Sequence, residues 1–320
     1  SAASDVYKRQ GLRKWAKGIV DEGVTSFLAT TLTQSEEVLT NAVSNVAKVV
    51  EEGYEGAEIL GIHFEGPYLN KAHKGAQPEE YCIKPNIEQF KRYQKAAHGL
   101  IKYITMAVEN DEDYALTKYC SQNNVVVSIG HSNATYEQAV QAYAHGARSM
   151  THVYNAMTPF THRANGLVGG ALRIRNMYGE IICDGNHSTL AALNNFFTSK
   201  GPDYSIMITD SLMCKGFPVG TKFDFGGQEV VIYPDGSAHL VEAGNLAGST
   251  LNVNKGLKIL IEDALVPVNY AINACTSNPA RCLHVDDRKG TIGVGYDADL
   301  VVLDRDYEVV QTYCKGVGQK

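Results

Sequence analysis

Residues 125–155 read VVVSIGHSNATYEQAVQAYAHGARSMTHVYN, and the fold turns on how they are read. VVVSIGH (125–131) is β-branched and almost unbroken in its apolar character, at the length of a strand. TYEQAVQAYAHG (135–146) begins at a threonine suited to capping, carries a helical apolar stripe and stops at a glycine. ARSMTHVYN (147–155) is strand-like again. Strand, helix, strand at this spacing is a βαβ unit, and strands this apolar belong to a parallel sheet covered on both faces. A histidine stands at the end of each strand, His131 and His152.

The same alternation runs outward in both directions. Strands are expected at 24–32, 57–66, 100–109, 177–185 and 204–210, with helices at 35–53, 86–99, 111–124 and 188–201. Seven strands joined by helices allow either a doubly wound sheet or a barrel. The polar residues separate the two. Glu65, His131, His152, Asp184 and Asp210 all fall at the C-terminal ends of their strands. A barrel gathers those ends at one mouth, whereas an open sheet spreads them along a crevice, so the barrel is favoured. KFDFGGQEVVIYPDGSAHLV, within about 216–245, reads as a β-hairpin insert. Helices follow at about 250–264 and 266–276, and the tail from 286 to 320 reads as part of a small β domain.

Bulk properties exclude several classes. The 320 residues carry 29 basic and 35 acidic side chains, a net charge of −6, so no nucleic-acid footprint is present. Apolar residues make up 44%, yet no run approaches the ~20 residues of a membrane span. Seven cysteines without a CxxC pair fit reduced thiols and a cytoplasmic setting.

The chemistry concentrates at the strand ends. Glu65, His131 and His152 are the residue types a catalytic Zn²⁺ or Fe²⁺ takes as three ligands, with a position left for water. Taken singly, each also fits a satisfied buried or rim side chain. Asp210 is placed to take a proton from attacking water and return it to a leaving amine, or alternatively to cap a helix. Glu109 suits either a partner for a ligand histidine or a helix-start carboxylate. Arg163 and His187 offer donors suited to a phosphate, while Asn155, Ala156 and the Leu246-Ala247-Gly248 segment offer groups for sugar hydroxyls.

The phrases HFEGPYLN, KGAQP, GHSNATY, THVYNAM, ICDGNHS, ITDSL, LAGSTL and TSNPARCLHVDDRKGTIGVGYDADLVVLD together resemble the N-acetylglucosamine-6-phosphate deacetylases of the amidohydrolase superfamily. The resemblance runs from about residue 11 to the C-terminus. It implies a (β/α)8 TIM-type barrel over 11–285, a small β-sandwich to which 286–320 contributes, and a homodimer. It implies one divalent metal per chain held by Glu65, His131 and His152, with Asp210 as general base and acid. Ala76, Asn155, Ala156, Arg163, His187, Leu246, Ala247 and Gly248 would contact a sugar phosphate, and His63, Gln77 and Glu109 would assist. Two departures stand out. Gln77 replaces the histidine of a KGAH phrase that polarises the acetyl carbonyl. The leader 1–10, SAASDVYKRQ, matches nothing and no HxH occurs, so a barrel lacking its first strand is expected. The rival expectations are a deaminase-like or dihydroorotase-like amidohydrolase, or a sugar-phosphate-binding fragment without turnover.

Overall fold

The computed structural model describes residues 8–319, so residues 1–7 of the expected leader lie outside the described residues. Among the described residues the first element is helix α1 (Arg9–Gly18). Seven strands follow in one parallel sheet: β1 (Ser26–Thr31), β2 (Glu58–Glu65), β3 (Ile101–Met106), β4 (Val126–Ile129), β5 (Ala147–Met150), β6 (Tyr178–Ile182) and β7 (Ser205–Ile208). Their spatial order is their chain order, so every crossover advances in the same sense. That is the winding of a barrel; a doubly wound sheet reverses direction at its switch point. Between the strands lie α2 (Glu36–Glu52), α3 (Ile87–Ala96), α4 (Ala115–Gln122), α5 (Tyr136–Ala144), α6 (Gly166–Arg173) and α7 (Leu190–Lys200).

The helices start where capping chemistry places them. Ser35 accepts from the Val38 amide, Asn86 from Gln89 and Thr189 from Ala192. At α5, Thr135 and Gln138 exchange side-chain and backbone hydrogen bonds as a capping box. Helix α2 turns Leu39, Val43, Val46 and Val49 onto the sheet, and all four are fully buried. Burying one such side chain contributes roughly 1.5–3 kcal/mol.

Besides helix α6, for which the sequence reading has no element, the insert and the segment after β5 differ from that reading. The insert is a three-stranded antiparallel sheet, β8 (Lys222–Phe225), β9 (Gln228–Ile232) and β10 (Ala238–Leu240), rather than a hairpin. Its third strand is only three residues long, too short for alternation to reveal. The segment 151–155 is a turn rather than the end of a strand. After the insert come α8 (Val253–Lys258), a π turn (Ile259–Asp263), α9 (Val268–Cys275) and α10 (Ser277–Cys282).

The antiparallel strands β11 (Leu300–Leu303), β12 (Val309–Cys314) and β13 (Val317–Gly318) close the chain. An ion cluster ties this sheet to the start of β2. The buried Lys289 ammonium lies 2.8 Å from Glu58, 3.0 Å from Asp297 and 2.5 Å from Asp299. Arg288 adds two 3.0 Å bonds to Glu58. Burial opposes ionisation of Glu58, but Arg288 and Lys289 outweigh it and hold the carboxyl at about 2. Lys289→Met leaves three carboxylates short of a buried cation, and urea denaturation should show a loss of about 3–5 kcal/mol. Because the folded-state value is depressed, the cluster stabilises the fold above the ordinary glutamate range. That contribution is lost as pH falls from about 4.5 toward 2. Denaturation midpoints at pH 6 and pH 3 should therefore converge in Lys289→Met relative to the parent.

Candidate metal centre and active site

Glu65 is the last residue of β2. His131, His152, Asp184 and Asp210 each lie two residues beyond the ends of β4, β5, β6 and β7. Three of them, His131, His152 and Asp210, adopt left-handed backbone at φ 48°, 34° and 49°. Non-glycine residues pay roughly 1–2 kcal/mol for that conformation, and such strain clusters at functional sites.

The first three converge. The Glu65, His131 and His152 ligand atoms all lie within 4.8 Å of one another. Glu65 Oε1 is 3.0 Å from His131 Nε2 and 3.7 Å from His152 Nε2, and the two Nε2 atoms are 3.0 Å apart. All three side chains are buried. The outer ring nitrogens decide the chemistry. His131 Nδ1 sits 2.9 Å from the His73 carbonyl and His152 Nδ1 sits 3.2 Å from the Asn155 carbonyl. A nitrogen facing a carbonyl must carry the hydrogen, so in each neutral ring the lone pair is on Nε2 and is open to a proton or a metal ion. Two lone pairs and a carboxylate oxygen facing one another at these distances call for a cation between them. The donor set of one carboxylate and two imidazoles therefore fits a divalent metal.

The electrostatics agree. Burial pushes the His152 imidazole down, yet the Glu65 carboxylate and the charge of Asp210 outweigh it and raise it to about 9. Burial pushes Glu65 up, and the two histidines outweigh it and hold the carboxyl well below its usual range. The centre thus favours positive charge.

The remaining expected residues divide into those on the rim and those beneath it. Asp210 shares the rim with the 246–248 segment. Its carbonyl accepts from the Ser249 amide at 2.8 Å, and Ala247 is anchored to the Ala238 carbonyl at 2.9 Å. The Asn155 carbonyl holds His152, and the Ala156 carbonyl accepts from the Ser132 amide at 3.2 Å. The Ala76 carbonyl is taken by Gln228 of the insert at 2.6 Å. His187 Nδ1 is 2.7 Å from Asp184, whose other oxygen accepts the amides of residues 186 and 187. Arg163 is exposed on the loop before α6.

His63 is not one of the converging group. It lies two residues before Glu65 on β2, with Nε2 2.7 Å from Thr105 Oγ1. Burial drives it down to about 4, so it is neutral. Thr105, Thr151 and Ser128 continue a hydroxyl chain at 2.7 Å per link beneath the centre. Glu109 does not reach either histidine ring. It accepts from the Ser132 hydroxyl at 2.5 Å, the Asn133 amide at 2.6 Å and Asn70 at 2.9 Å, bracing the turn that carries His131. Gln77 bonds to Glu65 and to the Thr33 amide. Sequence reasoning assigned no role to Asp184, although its spacing from His187 in DGNH was a usable signal. The carbonyls of His73 and Asn155 leave no signal in side-chain identity.

A parallel sheet of barrel winding, with a carboxylate and two imidazoles at its strand ends beside an aspartate, defines a metal-dependent hydrolase centre. The chain belongs to the amidohydrolase family, whose pattern it matches over residues 3–317. It is 41% identical, over 92% of its own length and 75% of the relative's, to an N-acetylglucosamine-6-phosphate deacetylase from Bacillus subtilis (strain 168). It is 32% identical, over 95% of its length and 80% of the relative's, to an N-acetylgalactosamine-6-phosphate deacetylase from Escherichia coli O157:H7. Among solved structures it resembles a mutant N-acetyl-D-glucosamine-6-phosphate deacetylase from Mycobacterium smegmatis in complex with N-acetyl-D-glucosamine-6-phosphate. The TM-score is 0.92 at 27% identity, covering 98% of this chain and 82% of that one.

Proposed function

We propose that this chain hydrolyses the acetamide of N-acetylglucosamine 6-phosphate to glucosamine 6-phosphate and acetate, a step of amino sugar catabolism. The observation that carries the proposal is the meeting of Glu65, His131 and His152 with both Nδ1 atoms committed to carbonyls. We assign one divalent metal, Zn or Fe, to those three residues. When bound, that ion supplies polarisation of the amide carbonyl and acidification of the attacking water.

The chain's own residues do the rest. Asp210 takes the proton of the attacking water and delivers it to the amine as the C–N bond breaks. Arg163 and His187 hold the phosphate, His187 oriented by Asp184, which fixes the amide at the centre. Asn155, Ala156, Ala76 and the Leu246–Gly248 segment line the sugar. The seven parallel strands support a TIM-type barrel over 11–285, with 286–320 in a smaller β domain. The exposure of Arg163 suits a contact made across a homodimer. Among the described residues no helix is long and apolar enough to cross a membrane, and we read the enzyme as cytoplasmic.

Acetate release tests the proposal. Charge-assisted hydrogen bonds contribute about 1.5–3 kcal/mol each, so with two of them N-acetylglucosamine 6-phosphate should exceed the unphosphorylated sugar in kcat/KM by about 10²–10⁴-fold. Equal turnover of the two sugars would remove Arg163 and His187 from the phosphate role. Faster turnover of N-acetylgalactosamine 6-phosphate would move the assignment to the epimeric substrate.

A further inference from the structure

Gln77 occupies the position at which the family pattern implies a carbonyl-polarising histidine, yet its amide is engaged elsewhere. Its Oε1 accepts from the Thr33 backbone N–H at 2.9 Å, and its Nε2 donates to Glu65 Oε1 at 3.3 Å. We infer that Gln77 is a positioning residue of the metal centre, holding the Glu65 carboxylate toward the two imidazoles by tying it to the backbone that leaves β1. The inference rests on the reading of Glu65, His131 and His152 as cation ligands.

Both hydrogen bonds are buried, and Gln77 is 5% exposed. Neither the Thr33 amide nor the Glu65 carboxylate can exchange this partner freely for water, so each bond is costly to lose. An amide suits the place because it presents an acceptor and a donor from one planar group. Leucine would offer neither, and glutamate would set a second carboxylate against Glu65.

The surrounding backbone leaves little slack. Gly66, directly after Glu65, has φ +73°, and a Cβ there would lie 2.0 Å from Thr33 Oγ1. The exits of β1 and β2 therefore meet in contact at the point Gln77 bridges. The loop that carries Gln77 also supplies the His73 carbonyl that holds His131 Nδ1. Within that loop the Gln77 amide donates to the Lys74 carbonyl at 3.0 Å, and the Ala76 carbonyl is pinned by Gln228. One loop thus orients two of the three candidate ligands, His131 through a carbonyl and Glu65 through Gln77.

The test uses the full chain with Gln77→Leu and Gln77→Met, measuring Zn²⁺ affinity by competition with a chelator. The melting temperature of the stripped protein and the steady-state kinetics at saturating Zn²⁺ are recorded alongside. The expected result is a 10–100-fold weaker Zn²⁺ affinity in both variants. The stripped proteins should melt within a few degrees of the parent, and KM at saturating Zn²⁺ should be unchanged. Gln77→Met keeps the side-chain length and carries the test if Gln77→Leu does not fold. Parent-like Zn²⁺ affinity with lowered kcat at saturating Zn²⁺ would place Gln77 on the substrate and overturn the inference. A fall in stripped-protein melting with unchanged affinity would also overturn it, as a purely structural effect. A parent that takes up no Zn²⁺ would instead sink the reading of the centre itself.

Discussion

Asp210→Asn should lower kcat for acetate release by about 10²–10⁴-fold while leaving the metal content at the parent level. The substitution removes the capacity to take a proton and the negative charge that goes with it. Asparagine has the same shape and is among the few residues that tolerate left-handed backbone, which Asp210 adopts at φ 49°. The backbone at this position is fixed independently of the side chain, since the Asp210 carbonyl accepts from Ser249 and the residues beside it pair with the 246–249 segment. Asparagine should therefore occupy the same place. The fall belongs in kcat, measured at saturating substrate and saturating divalent metal. Full turnover by Asp210→Asn would assign proton transfer to another group.

His152→Leu is the second large effect. Changing a residue that merely orients a metal ligand weakens metal affinity by about 10–100-fold, so losing a ligand outright should exceed about 100-fold. Leucine fills much of the imidazole's volume, and the fold around it is set by other groups. The backbone of the following residue is held by the Val153 amide on the Glu180 carbonyl at 2.7 Å. The variant should fold, lose stoichiometric metal during dialysis and lose acetate release with it. Elemental analysis after gel filtration reads the first outcome and product assay the second. Retention of one ion per chain would remove His152 from the ligand set.

Much of this architecture was legible before any coordinates. The strands announce themselves through β-branched apolar runs, and the helices through their ends, where Ser35, Thr135 and Thr189 cap as their chemistry requires. The clustering of Glu65, His131 and His152 followed from one rule, that polar residues at successive strand ends meet at a barrel mouth. Helix α6 was not legible. Its glycine-rich sequence argues against a helix, and the reason lies in packing: a Cβ on Gly170 would fall 3.0 Å from Met150 and 3.3 Å from Ala139. The bracing of the site was equally hidden. The histidines are oriented by main-chain carbonyls, and the partners of Gln77 and Glu109 come from segments far away in the chain. Side-chain type announces a ligand, whereas the groups that aim it are set by where the backbone happens to pass.

X-ray absorption on the Zn²⁺-loaded chain tests the metal centre most directly. One ion per chain, with two imidazole nitrogens and a carboxylate oxygen at about 2.0–2.2 Å, is the outcome the geometry of Glu65, His131 and His152 predicts. A coordination shell without imidazole, or uptake that never reaches one ion per chain, would contradict it.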